Sequence, residues 1–206
     1  MRGTFIVFEG GDSVGKTTQM RYLTDWLTSR GVDFVQTRQP GGTPLGSHIR
    51  DLVLNPIHGD VSPWAETLLY AADKAQHVYE VVEPELAAGR VVVCDRYVDS
   101  TLAYQGAGRR IDVGQVAQVA AWATGGLRPD LTILLDADPA TALEKIHDKD
   151  RLEGAGMDFH RSVRAHFLDL AAADPGRYLV VTALREREVV AAEIRAGVAP
   201  LLGLEP

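Results

Sequence analysis

Eight residues near the start of the chain combine glycine, lysine and threonine in a pattern that suits phosphate chemistry. Residues 10–17 read GGDSVGKT and match G-x-x-x-x-G-K-[ST]. In this pattern backbone N–H groups and the positive end of a helix surround a phosphate. The lysine reaches the outer phosphates of a nucleotide, and the hydroxyl helps to hold Mg²⁺. The pattern therefore assigns phosphate binding to Lys16 and metal binding to Thr17.

The segments around this loop are the ones that the chemistry requires. Residues 5–8 read FIVF, a short apolar run typical of a buried strand, and Met20, Leu23 and Leu27 recur at helical spacing after the loop. A chance match that only makes a tight turn is the alternative, and the flanking strand and helix argue against it. Asp12 lies inside the loop. It is predicted to accept a hydrogen bond from a sugar hydroxyl or to help hold Mg²⁺, unless it only stabilises the turn.

Two further polar groups directly follow predicted strands. Residues 37–43 read TRQPGGT, which places Arg38 at a strand end, and Arg50 follows on the next helix. A guanidinium matches phosphate oxygens, although a surface role is as good an interpretation for Arg50. Asp95 and Arg96 follow the apolar run VVVC at 91–94. Asp95 is predicted to orient Mg²⁺, often through water, and Arg96 to pair with an acceptor phosphate.

A charged segment at 148–156 is predicted to form a short lid. It contains Lys149, Asp150 and Arg151 and the glycines Gly154 and Gly156. A cation on a lid can neutralise the charge that develops as a phosphoryl group is transferred. A solvated charged loop is the alternative, and composition alone favours it.

Composition limits the classes of protein that fit. The 206 residues carry a net charge of −7, which argues against general nucleic-acid binding. The single cysteine, Cys94, cannot form an intrachain disulfide, which fits a reducing cytoplasm. Residues 1–4 lead directly into the first predicted strand, so no signal peptide is expected, and no apolar run approaches the ~18 residues of a membrane span. The chain is therefore predicted to be one cytoplasmic domain, residues 1–206, with no membrane partner.

Strands and helices alternate along the chain, which predicts a three-layer α/β fold with a five-stranded parallel sheet and helices on both faces. Gly31 is predicted to end the first helix, Ser62 and Pro63 to begin the third, and Pro84 to kink or restart it. The predicted strands are 4–9, 33–37, 90–95, 131–136 and 178–182, and the predicted helices are 15–30, 44–54, 63–82, 112–124, 138–147, 157–172 and 186–199.

Taken in order, these residues resemble the bacterial thymidylate kinase family of phosphate-loop kinases. The similar segments are FEGGD at 8–12, GKTTQ at 15–19, PGGT at 40–43, LYAAD at 69–73, DRYVDS at 95–100, LAYQGAGR at 102–109 and DRLE at 150–153. The stretch from Asp95 to Gly106 is the most specific of them. The resemblance covers nearly the whole chain.

The resemblance implies a phosphate-loop NTPase fold, transfer of the γ-phosphoryl group of ATP to dTMP with Mg²⁺, no nucleic-acid polymer as partner, and a homodimer with a long helix at 63–82 in its interface. It implies that Tyr70 stacks on thymine, that Tyr104 crowds the 2′ position and that Asp12 meets the 3′-hydroxyl. The implied catalytic residues are Lys16, Asp12, Arg96 and Arg151. The implied ATP-binding residues are Gly10, Gly11, Asp12, Ser13, Val14, Gly15, Lys16, Thr17 and Thr18. The implied dTMP-binding residues are Arg38, Tyr70, Lys74, Arg96, Ser100, Thr101, Tyr104 and Gln105, and the metal-binding residues are Thr17 and Asp95.

The chain departs from the family pattern at three residues and in the short length of its predicted lid. Ser13 is not the arginine that some relatives carry in the loop, which moves the catalytic cation to Arg151 on a short lid. Lys74 replaces an arginine that contacts the base, and Gln39 replaces a glutamate. Because lysine donates from one point, a pyrimidine kinase with a shifted base preference remains an alternative. A non-catalytic nucleotide-binding homologue is the alternative from another class, whereas a GTPase switch lacks its Asn-Lys-x-Asp motif.

Overall fold

Five strands form one parallel sheet in the computed structural model, which describes residues 2–109, 111–143, 152 and 155–205. The order across the sheet is β2-β3-β1-β4-β5, and every neighbouring pair is parallel. Each strand boundary lies within one residue of its predicted position, so the predicted sheet is confirmed. The strands are β1 (Phe5–Gly10), β2 (Phe34–Arg38), β3 (Val91–Asp95), β4 (Leu131–Asp136) and β5 (Tyr178–Thr182).

Helices connect the strands. They are α1 (Lys16–Ser29), α2 (Pro44–Leu54), α3 (Pro63–His77), α4 (Glu83–Ala87), α5 (Val98–Thr101), α6 (Val113–Ala123), α7 (Pro139–Leu143), α8 (Met157–Ala173) and α9 (Arg187–Val198). Single 3₁₀ turns lie at Pro56–His58 and Ala199–Leu202, and π-helical turns lie at Val78–Val82 and Leu102–Gly108. Among the described residues, no helix is both long enough and apolar enough to span a bilayer.

The sequence signals for the helix ends are confirmed. Gly31 adopts φ 68° and donates to Thr28 O while Val32 donates to Leu27 O, the double bond of a Schellman cap. Ser62 Oγ accepts from Ala65 N at the start of α3. Pro84 lies in the first turn of α4, where its missing N–H costs nothing, and a π turn precedes it.

The core lies on both faces of the sheet, because successive strand residues point to opposite sides. Ile6 and Phe8 pack with α1 and α9 on one face, whereas Phe5 and Val7 pack with the π turn before α4 on the other. A further cluster joins α8 to the π turn at 102–108. Helices on both faces of a parallel sheet confirm the predicted architecture.

Residues 98–108 differ from the prediction, which placed no helix there. They form α5 and the π turn that continues it. Gly106 and Gly108 lower the helix propensity of this segment, but packing overrides it because Ala103 and Tyr104 are buried. A Cβ at Gly108 would lie 2.5 Å from Phe159 Cε2, so glycine permits the close approach of α8.

Candidate active site

The carboxyl ends of β1, β2 and β3 lie side by side and bring the predicted site residues to one edge of the sheet. Asp95 is in register with Phe8 on one side and with Arg38 on the other. The loop at 10–15 leaves the same edge and leads into α1. Ligands of open parallel sheets bind at this edge.

The loop at 10–15 adopts the backbone that a phosphate cradle needs. Gly10 and Gly15 have φ values of 132° and 96°, and Ser13 is a non-glycine residue with φ 58°. A Cβ at Gly10 would lie 2.4 Å from Leu135 O, so only glycine fits there. Such a turn directs successive N–H groups to one side, toward the start of α1.

Lys16 is 8% exposed and is held inside this loop. Its Nζ donates to Gly10 O at 3.1 Å and to Gly11 O at 2.6 Å. Burial and the nearby Arg96 lower the pKa of Lys16 to about 8, although Asp95 and Asp12 act in the opposite direction. The ammonium therefore lies at the loop with little solvent to compensate its charge.

Arg96 connects the loop to the residues of α5 and the following π turn. Its Nη1 donates to Gly10 O at 3.0 Å and Ser100 Oγ at 3.1 Å. Its Nη2 donates to Asp12 Oδ1 at 2.5 Å and to Tyr104 Oη at 3.3 Å. The Arg96 backbone has φ 67°, and an arginine in the left-handed region is the kind of local strain found at functional sites.

Asp12 is fixed by both of its oxygens. Besides the Arg96 bond, its Oδ2 accepts from Tyr104 Oη at 2.8 Å. Burial opposes ionisation, but Arg96, Lys16 and the Tyr104 hydrogen bond hold the pKa of Asp12 below its ordinary value. Asp12 is therefore an oriented carboxylate rather than only a turn-stabilising residue.

Glu9 is a site residue that the sequence analysis did not single out. It is fully buried and accepts from Tyr97 N at 2.8 Å, Ser100 N at 3.1 Å and Ser100 Oγ at 2.6 Å. Burial and the neighbouring Asp99 raise the pKa of Glu9 to about 7. The carboxyl group fixes the turn that carries Arg96. A glutamate at the end of an otherwise apolar strand, next to the loop glycines, was the available signal.

A pocket with an empty volume of about 640 Å³ opens beside Arg96. Arg38 is exposed at the end of β2 and does not line it, whereas Arg50 and Gln39 do. The predicted dTMP-binding residues that line it are Tyr70, Lys74, Arg96, Ser100, Thr101, Tyr104 and Gln105, and Asp12 also lines it.

Lys74 lies on the inner wall of this pocket. It is 2% exposed, and its Nζ lies 5.5 Å from the centre of the Tyr70 ring. Burial lowers the pKa of Lys74, although Asp73 and Glu9 oppose that change. Tyr70 and Lys74 therefore place an aromatic face and a point donor close together in this pocket.

His77 supports Gln39 from beneath the pocket. Its Nδ1 lies 2.7 Å from Gln39 Nε2 and its Nε2 lies 2.6 Å from Thr37 Oγ1. Burial and Lys74 lower the pKa of His77 to about 4, so the ring is neutral near pH 7 and can accept on one nitrogen. A glutamine amide can donate to that nitrogen, which accounts physically for Gln39.

Asp95 and Thr17 are the predicted metal-binding residues, and both lie beside the loop. Asp95 Oδ1 is buried without a hydrogen-bond partner, and Thr17 is exposed at the first turn of α1. A hydroxyl and a carboxylate oxygen suit Mg²⁺, which keeps several water ligands. Within the described ranges, no group of three or more His, Cys, Asp or Glu residues could bind a metal by itself.

A second pocket, with an empty volume of about 710 Å³, lies on the other side of the loop. Its far wall is formed by residues that come after β5 in the chain, and no sequence motif pointed to a ligand there. Gln19 Nε2 donates to Arg187 O at 3.1 Å, and Gln19 Oε1 is buried without a partner. The lining residues are Ser13, Val14, Gly15, Thr18, Gln19, Ala183, Leu184, Arg185, Arg187 and Val190.

Residues 8–194 match the family model for thymidylate kinase. The chain belongs to the thymidylate kinase family. It is 60% identical over 202 residues to a thymidylate kinase of Cutibacterium acnes, covering 98% of this chain and 99% of the relative. It is 53% identical over 200 residues to one of Clavibacter sepedonicus, covering 95% and 94%.

A solved thymidylate kinase structure from Ehrlichia chaffeensis has the same fold, with a TM-score of 0.80 and 32% sequence identity. The match covers 96% of this chain and 99% of that chain. The resemblance inferred from the motifs and the predicted fold are therefore confirmed. The individual site assignments stay predictions.

Most of the lid that the sequence predicts at 148–156 lies outside the residues that the structure describes. Lys149, Asp150 and Arg151 lie outside the described residues. Leu152 is described, is buried and lines the pocket beside Arg96. The predicted catalytic role of Arg151 therefore rests on the sequence.

Proposed function

We propose that this protein transfers the γ-phosphoryl group of ATP to dTMP, giving dTDP and ADP. The observation that carries the proposal is the position of Arg96. Its guanidinium donates both to Gly10 O of the phosphate loop and to Ser100 Oγ of the neighbouring pocket. A donor phosphate on the loop and an acceptor phosphate in the pocket would meet at this one cation.

The described residues supply positioning and charge neutralisation, which are what phosphoryl transfer needs most. Lys16 lies at the loop to hold the outer phosphates of ATP. Arg96 holds the acceptor phosphate, and Tyr70 provides an aromatic face for the pyrimidine. Asp12 is oriented to accept from the 3′-hydroxyl, and Tyr104 lies beside it to favour deoxyribose.

Mg²⁺ fits this arrangement. Thr17 and Asp95 would hold it, directly or through water, and the unpartnered Oδ1 of Asp95 supports that assignment. When bound, the ion neutralises charge on the phosphate oxygens.

The second pocket, beside Thr18 and Gln19, is our proposed site for the base of ATP.

The test is to follow ATP consumption by purified protein with Mg²⁺, with and without dTMP, and to compare dTMP with dUMP and dCMP. We expect rapid consumption only with a pyrimidine monophosphate, and dTMP as the best acceptor. Lys74 supports the alternative of a shifted base preference, which a higher kcat/KM for dUMP or dCMP would establish. If none of the three monophosphates stimulates ATP consumption, both the dTMP kinase proposal and the alternative of a shifted base preference are overturned.

Arg151 is proposed as the catalytic lid cation because the loop has Ser13 in place of a cation. Replacing Arg151 by Ala is expected to lower kcat on the order of 100-fold while KM for dTMP changes less than about threefold. Steady-state kinetics with saturating ATP measure both constants. Arg161→Ala is the control, since Arg161 is exposed on α8 and pairs with Asp158. Equal kcat for the two variants would contradict the assignment.

A homodimer through α3 is also proposed. Trp64, Leu68 and Tyr79 leave large apolar surfaces exposed at helical spacing on α3 and the π turn after it. Trp122 on the neighbouring α6 is 86% exposed. Exposed apolar patches of this kind mark interfaces.

Leu68→Glu is expected to convert the dimer to a folded monomer, because Leu68 is 56% exposed and the new charge would be buried only in the dimer. Sedimentation velocity measures the mass, and circular dichroism checks the fold. Val189→Glu is the matched control on the exposed face of α9. A wild-type monomer at micromolar concentration would contradict the dimer.

We further propose that the chain acts as a single kinase domain in the cytoplasm, with its lid at 148–156. The single cysteine, Cys94, is a buried free thiol, which is compatible with a reducing compartment.

A further inference from the structure

Glu66 is a buried carboxylate on α3 that lies behind the wall of the pocket beside Arg96. It is 0% exposed and does not line the pocket. Gln105 Nε2 donates to Glu66 Oε1 at 2.7 Å. Arg109 donates to the same carboxylate through Nε at 3.4 Å and Nη2 at 3.3 Å.

The bond between Gln105 and Glu66 fixes which end of the Gln105 amide faces the pocket. An ionised carboxylate only accepts hydrogen bonds, so the NH₂ end of Gln105 must point to Glu66. Gln105 lines the pocket. Its carbonyl oxygen is therefore the end that remains for a ligand.

Two further groups that can donate line the same pocket. Lys74 Nζ can only donate, and the Thr101 hydroxyl is buried without a partner at the pocket wall. With Gln105 Oε1, they give the pocket one acceptor and two donors, which can meet the edge of a base as donor, acceptor and donor. The O4, N3–H and O2 edge of thymine presents the complementary acceptor, donor and acceptor. The N3 atom of cytosine carries no hydrogen and is an acceptor. In the same position it would face the acceptor Gln105 Oε1, and no hydrogen bond could form between them.

We propose that Glu66 is a positioning residue that makes the pocket select an N3–H pyrimidine over cytosine by holding Gln105 with its carbonyl oxygen toward the base. This inference rests on the proposed function. Glu66 does not touch the substrate and acts through Gln105. Glu66 and Gln105 are expected to contribute nothing to any preference for thymine over uracil, because the two bases share the same N3–H edge.

The experiment is to measure kcat/KM of wild-type protein and of Glu66→Gln with dTMP, dUMP and dCMP. A glutamine at 66 can donate or accept, so the Gln105 amide is free to rotate. The dTMP to dCMP ratio of kcat/KM is expected to fall about tenfold or more in the variant, which is the size of one mismatched buried hydrogen bond. The dTMP to dUMP ratio is expected to stay within about twofold. A merely structural loss would lower all three values in parallel and would overturn the inference.

Arg109→Lys is the matched control, because it weakens the other contact of Glu66, keeps the charge and leaves the bond to Gln105. It is expected to keep the wild-type dTMP to dCMP ratio, and a loss of selectivity as large as that of Glu66→Gln would overturn the role assigned to Gln105. If Glu66→Gln does not fold, Glu66→Gln with Arg109→Met removes both charges and carries the same expectation.

The wild-type values separate this inference from the proposed function. Turnover of dCMP equal to that of dTMP would overturn the inference and leave the kinase activity standing. Absence of turnover with all three acceptors would overturn the proposed function, and the inference with it.

Discussion

Replacing Lys16 by methionine is expected to lower kcat by about 100- to 1,000-fold. The ammonium lies against Gly10 O and Gly11 O inside the loop. It is buried, and a fixed charge in a site from which water is excluded stabilises a transition state far more than one in solvent. Methionine fills a similar volume, so the effect isolates the charge. Steady-state kinetics with dTMP and ATP measure the loss.

The affinity for dTMP shows whether the loss of kcat in Lys16→Met is confined to the phosphate loop. Lys16 does not line the pocket beside Arg96. The dissociation constant for dTMP, from calorimetry without ATP, is therefore expected to change less than about threefold. Arg21→Met is the control, since Arg21 is exposed on the same helix and carries the same charge. A Lys16→Met protein within tenfold of wild-type kcat would contradict the phosphate-binding role.

The parts of this site that the sequence could predict are those with a local signal. The loop at 10–17 has its own pattern, and Asp95 and Arg96 directly follow an apolar strand. Each position could be placed because the carboxyl ends of parallel strands meet at one edge. The resemblance supplied the residues between Tyr70 and Gln105. Every dTMP-binding residue that the resemblance implied, except Arg38, lines the pocket.

The supporting residues lacked such a signal. Glu66 and Gln105 are 39 positions apart, and Glu9 and Ser100 are 91 apart. A glutamate within an amphipathic helix pattern is normally an exposed residue, so nothing local marked Glu66 as buried. The wall of the second pocket at Arg185 and Arg187 follows β5, the last strand of the sheet, where no motif pointed to a ligand. These pairings depend on tertiary packing, which propensity and spacing do not encode.

Replacing Arg96 by methionine is expected to lower kcat/KM for dTMP by about 100- to 1,000-fold. This guanidinium donates to Gly10 O, Ser100 Oγ and Asp12 Oδ1, so its loss separates the loop from the acceptor pocket. The fall is expected in both kcat and the affinity for dTMP. The affinity for ATP, measured with a fluorescent ATP analogue, is expected to change less than tenfold. Arg90→Met, at the opposite end of β3, is the control, since Arg90 is exposed and pairs with Glu85.

The Arg96→Lys variant tests whether charge alone is enough. Lysine keeps the positive charge but cannot reach several acceptors with a planar fork, so kcat/KM is expected to stay at least tenfold below wild type.

Arg96 also helps to hold the pKa of Asp12 below its ordinary value against the effect of burial. In Arg96→Met that pKa rises, and the ionised form of Asp12 is lost at a higher pH. The acid limb of the kcat/KM profile is therefore expected to move to higher pH in Arg96→Met and to move much less in Arg96→Lys. An acid limb at the same pH in all three proteins would show that Asp12 ionisation does not govern dTMP use.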